Sequence, residues 1–178
     1  MPVIKYKEIG VIHSPFTSLE RMPVQPIAAK GVKGTIEIHK KFLDGLQDLE
    51  KFQYIYLFYH FNKAETCKLK VIPFMDDKPH GIFATRAPIR PNPIGISVVY
   101  LIKIENNILY VEDIDIMDNT PLLDIKPFIP QVDNRMSKKI GWLQGKENIF
   151  QTQSDARFII NKLNLNEKSS NPHKKQTS

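Results

Sequence analysis

The sequence has little cysteine and little glycine: one Cys, Cys67, and eight Gly in 178 residues. A lone thiol excludes internal disulfides and thiolate zinc clusters, and it suits a reducing cytoplasm. The glycines stand at 10, 31, 34, 45, 81, 95, 141 and 145, so no G-x-G pair exists. Neither the dinucleotide fingerprint nor a phosphate-cradling Walker loop can then be written. No apolar run approaches the roughly 18 residues of a membrane-spanning helix, and the start, MPVIKYKEIG, lacks the apolar stretch of a signal peptide. H-E-x-x-H is absent and no two of the five histidines sit at ligand spacing, so no metal is expected. Ser97 follows Gly95, but the G-x-S-x-G elbow of a hydrolase is incomplete.

What is present is a chain 42% hydrophobic and 25% charged, the composition of one globular domain with a sizeable core. The net charge of +6 invites a nucleic-acid reading, but its distribution divides it. Residues 1–137 carry 17 Lys/Arg against 16 Asp/Glu, whereas residues 138–178 carry 8 against 3. The body is nearly neutral and the tail holds the excess. A charged polar tail reads first as a solvated appendage.

The hydrophobic pattern is short and alternating or short and continuous, which favours strands. Strands are expected at Ile4–His13, Gly34–His39, Tyr54–Phe61, Leu69–Ile72, Gly81–Thr85, Ile94–Ile104, Ile108–Ile116 and Leu122–Ile125. Two β-branched runs flank Asn106-Asn107, and Asn accepts the positive φ of a tight turn, so an antiparallel hairpin is expected there. Phe42–Lys51, with Leu43, Leu46 and Leu49 at spacings of three, reads as a short helix. Gln153–Leu165 reads as a C-terminal helix, and NEKSSNPHKKQTS after it as a disordered tail. Without alternating long helices a doubly wound fold is disfavoured, and many short strands with Pro-rich connections point to a mainly β, compact antiparallel barrel or sandwich with short helices. It would occupy residues 1–137, with the C-terminal helix and basic tail at 138–178.

Three segments carry chemistry. GIFATRAPIRPNPIGIS, residues 81–97, has Pro88, Pro91 and Pro93, which fix φ and remove amide donors, so it is a stiff loop between strands. Two of the chain's five arginines, Arg86 and Arg90, lie in it. A guanidinium on a stiff loop suits carboxylate or phosphate, although spacing alone equally allows solvated arginines at a barrel rim. DIDIMDNTPLLDIKPFIP, residues 113–130, concentrates Asp113, Asp115, Asp118 and Asp124 around an Asp-Asn-Thr-Pro turn. SPFTSLERMPVQP, residues 14–26, is a long irregular loop, of the kind more often functional than merely connecting.

With IGVIHSPF at 9–16, MPVQP at 22–26 and IYLFYHF at 55–61, these stretches resemble the TsaA-like, or TrmO-like, family of tRNA methyltransferases. The match runs in order over residues 3–133. The resemblance implies a non-Rossmann β-barrel that binds S-adenosylmethionine, a homodimer with the cofactor near the subunit interface, and methylation of N6 of threonylcarbamoyladenosine beside a tRNA anticodon. It implies cofactor contacts from Pro23, Val24 and Gln25, from His60 and Phe61, from Arg86 and Ile96, and from Asp118, Asn119, Thr120 and Pro121. Where the family commonly has Pro-Arg-Gln this chain has Pro23-Val24-Gln25, and Asn119 replaces the glycine of Asp-Gly-Thr-Pro. Arg90 and Lys126 are candidates for the phosphate or carboxylate of the substrate, Lys126 being equally readable as solvated. His60 is equally readable as hydrogen-bonded into the barrel. No catalytic base is named. Two other functions stay open on the residues alone: an RNA-binding barrel without catalysis, with Tyr54, Tyr56, Phe58 and Tyr59 as stacking surface, and methylation of a different acceptor.

Overall fold

Period-two alternation of apolar side chains builds the architecture. A computed structural model of the protein describes residues 3–20, 22–146, 153, 154 and 158. Among the described residues there are eight strands: β1 Gly10–His13, β2 Lys33–Ile38, β3 Tyr54–His60, β4 Lys70–Val71, β5 His80–Gly81, β6 Ile94–Glu105, β7 Ile108–Glu112 and β8 Thr120–Pro127. Six close into a barrel in the order β1-β2-β7-β6-β3-β8, with every neighbouring pair antiparallel. The remaining two, β4 and β5, form a separate ribbon. The fold is the mainly β, non-Rossmann barrel that the resemblance implies, and of the barrel and sandwich that the pattern allows it is the barrel that forms.

Each barrel strand sends alternate residues inward. On β3 these are Ile55, Leu57 and Tyr59, while Tyr54, Tyr56, Phe58 and His60 alternate with them on the outer face. Ile12, Ile36, Val99, Leu109, Val111 and Leu122 fill the rest of the interior at 0% exposure. Burying each such side chain stabilises the fold by about 1.5–3 kcal/mol relative to leaving it in water. Asn106 turns the β6–β7 hairpin with φ of 53°, as its short amide side chain allows.

Several boundaries differ from the sequence pattern. The first strand does not start at Ile4: residues 3–9 are outside any strand, and Val3, Ile4 and Tyr6 are 82%, 74% and 67% exposed. The last part of the expected Ile108–Ile116 strand is lost because Asp113 adopts φ of 66° and its carboxylate accepts the Gly31 N–H at 2.8 Å. Ile82–Ala84, expected as strand, is a 3₁₀ turn. The expected helix Phe42–Lys51 is two 3₁₀ segments, Lys40–Leu46 and Leu49–Lys51, divided at a left-handed Asp48. The leucines at spacings of three suit 3.0 residues per turn rather than 3.6. Of the expected helix Gln153–Leu165 only Gln153, Ser154 and Phe158 are described; the rest of it and the tail lie outside the described residues.

Gly10 marks a close backbone crossing. A Cβ there would stand 2.4 Å from the Glu37 carbonyl oxygen on the paired strand, an atom held by the barrel ladder. Gly10→Ala is therefore expected to cost about 1–3 kcal/mol, read as a lower urea midpoint at unchanged slope. A wild-type midpoint would contradict the close packing of β1 on β2.

Candidate functional site

Antiparallel closure sorts the connections by end. His13 ends β1 and Lys33 starts β2; His60 ends β3 and Ile94 starts β6; Glu112 ends β7 and Thr120 starts β8. The registers His13↔Thr35, Lys33↔Glu112, His60↔Ile94 and Ile12↔Thr120 put all six at the same end. The three connections 14–32, 61–93 and 113–119 thus converge there, and they hold all of the segment 14–26, most of 81–97 and the turn that opens 113–130.

They enclose a cavity of about 680 Å³, in the size range of small-molecule sites. Its walls are mainly apolar, with Val24, Phe61, Met75, Phe83 and Ile96 among them, and Gln25, Arg86, Arg90, Asp115 and Thr120 supply polar groups. Arg86 Nη1 donates to Gln25 Oε1 at 2.6 Å, tying the proline loop to the first loop. Arg90 Nη1 donates to the Thr85 carbonyl at 3.2 Å and so braces its own loop.

Of the expected contacts, Pro23, Val24, Gln25, Phe61, Arg86, Ile96, Thr120 and Arg90 line this cavity. His60, Asp118, Asn119, Pro121 and Lys126 do not line it. His60 closes β3 one residue before Phe61. Asp118 is committed to the fold: its Oδ1 accepts the Ser14 N–H and meets His13 Nδ1, both at 3.2 Å. Asn119 takes φ of 59°, the conformation that a glycine would adopt freely, and its carbonyl accepts from Asn62. Lys126 lies on the outer face of β8, paired with Asp124 at 2.7 Å and 5.8 Å over the Phe58 ring.

A buried polar chain in the cavity wall escapes the sequence reading. The Tyr59 hydroxyl is 3.1 Å from Ser97 Oγ, and Ser97 Oγ donates to Asp115 Oδ1 at 2.6 Å. Ser97 is 3% and Asp115 8% exposed. Burial pushes the Asp115 carboxyl up to about 7 against the opposing pull of the Ser97 hydrogen bond and the Arg86 charge. Burial likewise pushes the Tyr59 phenol up, and the nearby Asp115 charge adds to it. Gly95 makes room for this chain, since a Cβ there would fall 2.2 Å from the Tyr59 ring. The signal was present: Gly95 and Ser97 share one face of β6, opposite the inward residues of β3.

Comparison with known proteins agrees with this architecture. Residues 11–134 match the family described as the tRNA-methyltransferase O N-terminal domain. A probable S-adenosyl-L-methionine-binding protein of Pyrococcus abyssi is 48% identical over 165 residues, covering 92% of this chain and 89% of that protein. The human tRNA (adenine(37)-N6)-methyltransferase is 33% identical over 133 residues, or 71% of this chain and 30% of that enzyme. Among solved structures, TrmO from Pseudomonas aeruginosa is similar with a TM-score of 0.67 at 34% identity, covering 80% of this chain and 62% of that one. The chain therefore spans most of the Pyrococcus protein but less than two thirds of TrmO.

Beyond the matched segment, residues 141–146 return to the cavity as a strap. Trp142 and Leu143 line it, and Trp142 Nε1 donates to the Ala84 carbonyl at 2.7 Å. The indole stacks on His80 at 4.7 Å between ring centres. Asp76 Oδ2 holds the strap, meeting Lys146 Nζ at 2.7 Å and His80 Nε2 at 2.9 Å. These two partners, Lys146 first, hold the Asp76 carboxyl well below the usual carboxylate range. Trp142 is the only tryptophan in the chain, so its fluorescence reports on the strap. Asp76→Asn is expected to shift Trp142 emission to the red and raise its quenching by acrylamide, with far-UV circular dichroism unchanged. Unaltered emission and quenching would show that the ion pair does not hold the strap.

Proposed function

The chain belongs to the tRNA-methyltransferase O family, and from that premise we propose that it transfers a methyl group from S-adenosyl-L-methionine to N6 of threonylcarbamoyladenosine beside a tRNA anticodon. The coarser activity, S-adenosylmethionine-dependent methylation of tRNA, is the one its relatives' names describe. The observation that carries the reading is the cavity itself, where all three loops of the resemblance meet at one barrel end.

The residues present fit the methyl donor. Mainly apolar walls suit a nucleoside and a thioether chain, and a guanidinium suits the amino-acid carboxylate. Arg86 would take that carboxylate, with Gln25 fixing the guanidinium, while Pro23, Val24, Phe61 and Ile96 would pack on the remainder. When bound, the sulfonium supplies an electrophilic methyl carbon, so the chain's own task is to hold two reactants in line and exclude water. Such positioning is worth on the order of 7–11 kcal/mol at most. Arg90 and Lys63, also on the cavity, suit the acceptor's carboxylate or an adjacent phosphate. Asp118 and Asn119 would serve the site by holding the loop ends, while His60 and Pro121 stand at the strand ends next to it. Lys126, on the outer barrel, would meet RNA outside the cavity.

We also propose a cytoplasmic homodimer. Ile94, Ile96 and Ile102 are 37%, 44% and 42% exposed along one side of β6, an apolar stripe that a second copy would cover beside the cavity.

Arg86 is exposed and outside the core, so Arg86→Ala should leave the melting temperature unchanged. Loss of a charge-assisted hydrogen bond worth about 1.5–3 kcal/mol should weaken S-adenosylmethionine binding about tenfold or more in a calorimetric titration. Wild-type affinity would contradict the assigned contact.

A further inference from the structure

An exocyclic amine on a purine has its lone pair delocalised into the ring, and a carbamoyl substituent withdraws it further. Such a nitrogen attacks a methyl carbon only as its proton leaves, which calls for an acceptor within hydrogen-bond reach. Among the described residues that line the cavity, Asp115 is the only carboxylic acid, and no histidine or cysteine shares the lining. Lys63, Arg86 and Arg90 bring amine and guanidinium N–H donors to the lining, and burial pushes the Tyr59 phenol up, away from phenolate. Asp115 also has a built setting. Ser97 from β6 holds one carboxylate oxygen at 2.6 Å, Tyr59 from β3 stands behind Ser97 at 3.1 Å, and Arg86 faces the acid from the proline loop.

We propose that Asp115 is the catalytic proton acceptor of the methyl transfer, an assignment that rests on the reading above, and that Ser97 is its positioning residue. The N6 proton passes to the Asp115 carboxylate as the N6 electron pair bonds to the methyl carbon. The methyl–sulfur bond breaks with its electron pair remaining on sulfur, and the neutral acid then returns the proton to water. Charge is conserved, and no further reactant is needed. A carboxyl pushed up to about 7 is half ionised near neutral pH, where it accepts a proton with the least mismatch.

The test measures single-turnover methylation of tRNA by the full chain from pH 5.5 to 9, alongside S-adenosylmethionine affinity and thermal melting. Wild type should rise through an inflection near pH 7 and level off above it. Asp115→Asn should lose about 100-fold or more in rate and the inflection with it, while binding the methyl donor as wild type does. Ser97→Ala removes a hydrogen bond that lowers the Asp115 value, so its inflection should move to higher pH, a displacement that a merely structural serine would not produce. Melting supplies a readout free of turnover. Because the folded value lies above the unfolded 3.8, the ionised acid opposes folding. Wild type should therefore lose stability relative to Asp115→Asn as pH rises from about 4 to 7, and no further above that. Near-wild-type turnover by Asp115→Asn, an unmoved Ser97→Ala inflection, or parallel melting curves would overturn the assignment. Failure of wild type to methylate any tRNA would instead overturn the functional reading and this role with it.

Discussion

Closure of six antiparallel strands into a barrel is the constraint on which the site depends. A closed barrel has no free edge, so all ladder donors and acceptors of its backbone have a neighbouring strand to meet. It also divides the connections between two ends by parity. The β1–β2, β3–β6 and β7–β8 connections must leave together, and in this chain they include the two longest, 14–32 and 61–93. A cavity can thus be assembled from loops distant in sequence without a Rossmann helix or a glycine-rich turn. The lack of any G-x-G pair and the presence of a nucleotide-sized cavity are compatible because the barrel rim replaces the helix N-terminus as scaffold.

Rigidity at that rim has several independent sources. Pro88, Pro91 and Pro93 stiffen one loop, Arg86 ties it to Gln25 on another, and Asp118 binds the third to the end of β1. Within the wall, the Tyr59 ring occupies the space left by Gly95 and presents its hydroxyl to Ser97. Burying Asp115 beside them opposes folding at neutral pH, since desolvation disfavours its charged form. An acid kept there against that cost is the pattern expected where chemistry rather than stability selects the residue. The strap bearing Trp142 adds a wall from outside the matched family segment, joined through Asp76, His80 and Lys146.

Much of this was legible in the residues. Alternation marked β3, β6 and β7, Asn106 marked the hairpin, and the proline-arginine stretch marked a stiff loop. What was not legible depended on tertiary placement. Val3 and Ile4 have strand character, but no neighbouring strand pairs with them, so local propensity alone extended β1 too far. Asp113 and Asp115 look equivalent in sequence; a left-handed turn at Asp113 sends one carboxylate to Gly31 and the other into the wall. The roles of Trp142 and Asp76 required knowing that residues 141–146 fold back on the ribbon region, which no periodicity encodes. The leucine spacing of three is that of a 3₁₀ turn, so Lys40–Leu46 and Leu49–Lys51 form two short segments in place of one 3.6-residue helix.

The claim that joins barrel, cavity and family is transfer of one methyl group to one nucleoside. It is tested most directly by incubating the protein with total tRNA and S-adenosylmethionine deuterated at the methyl group, followed by mass spectrometry of the digested nucleosides. The predicted result is a deuterated methyl on threonylcarbamoyladenosine and on no other nucleoside. Label on a different nucleoside, or none in tRNA at all, would contradict it.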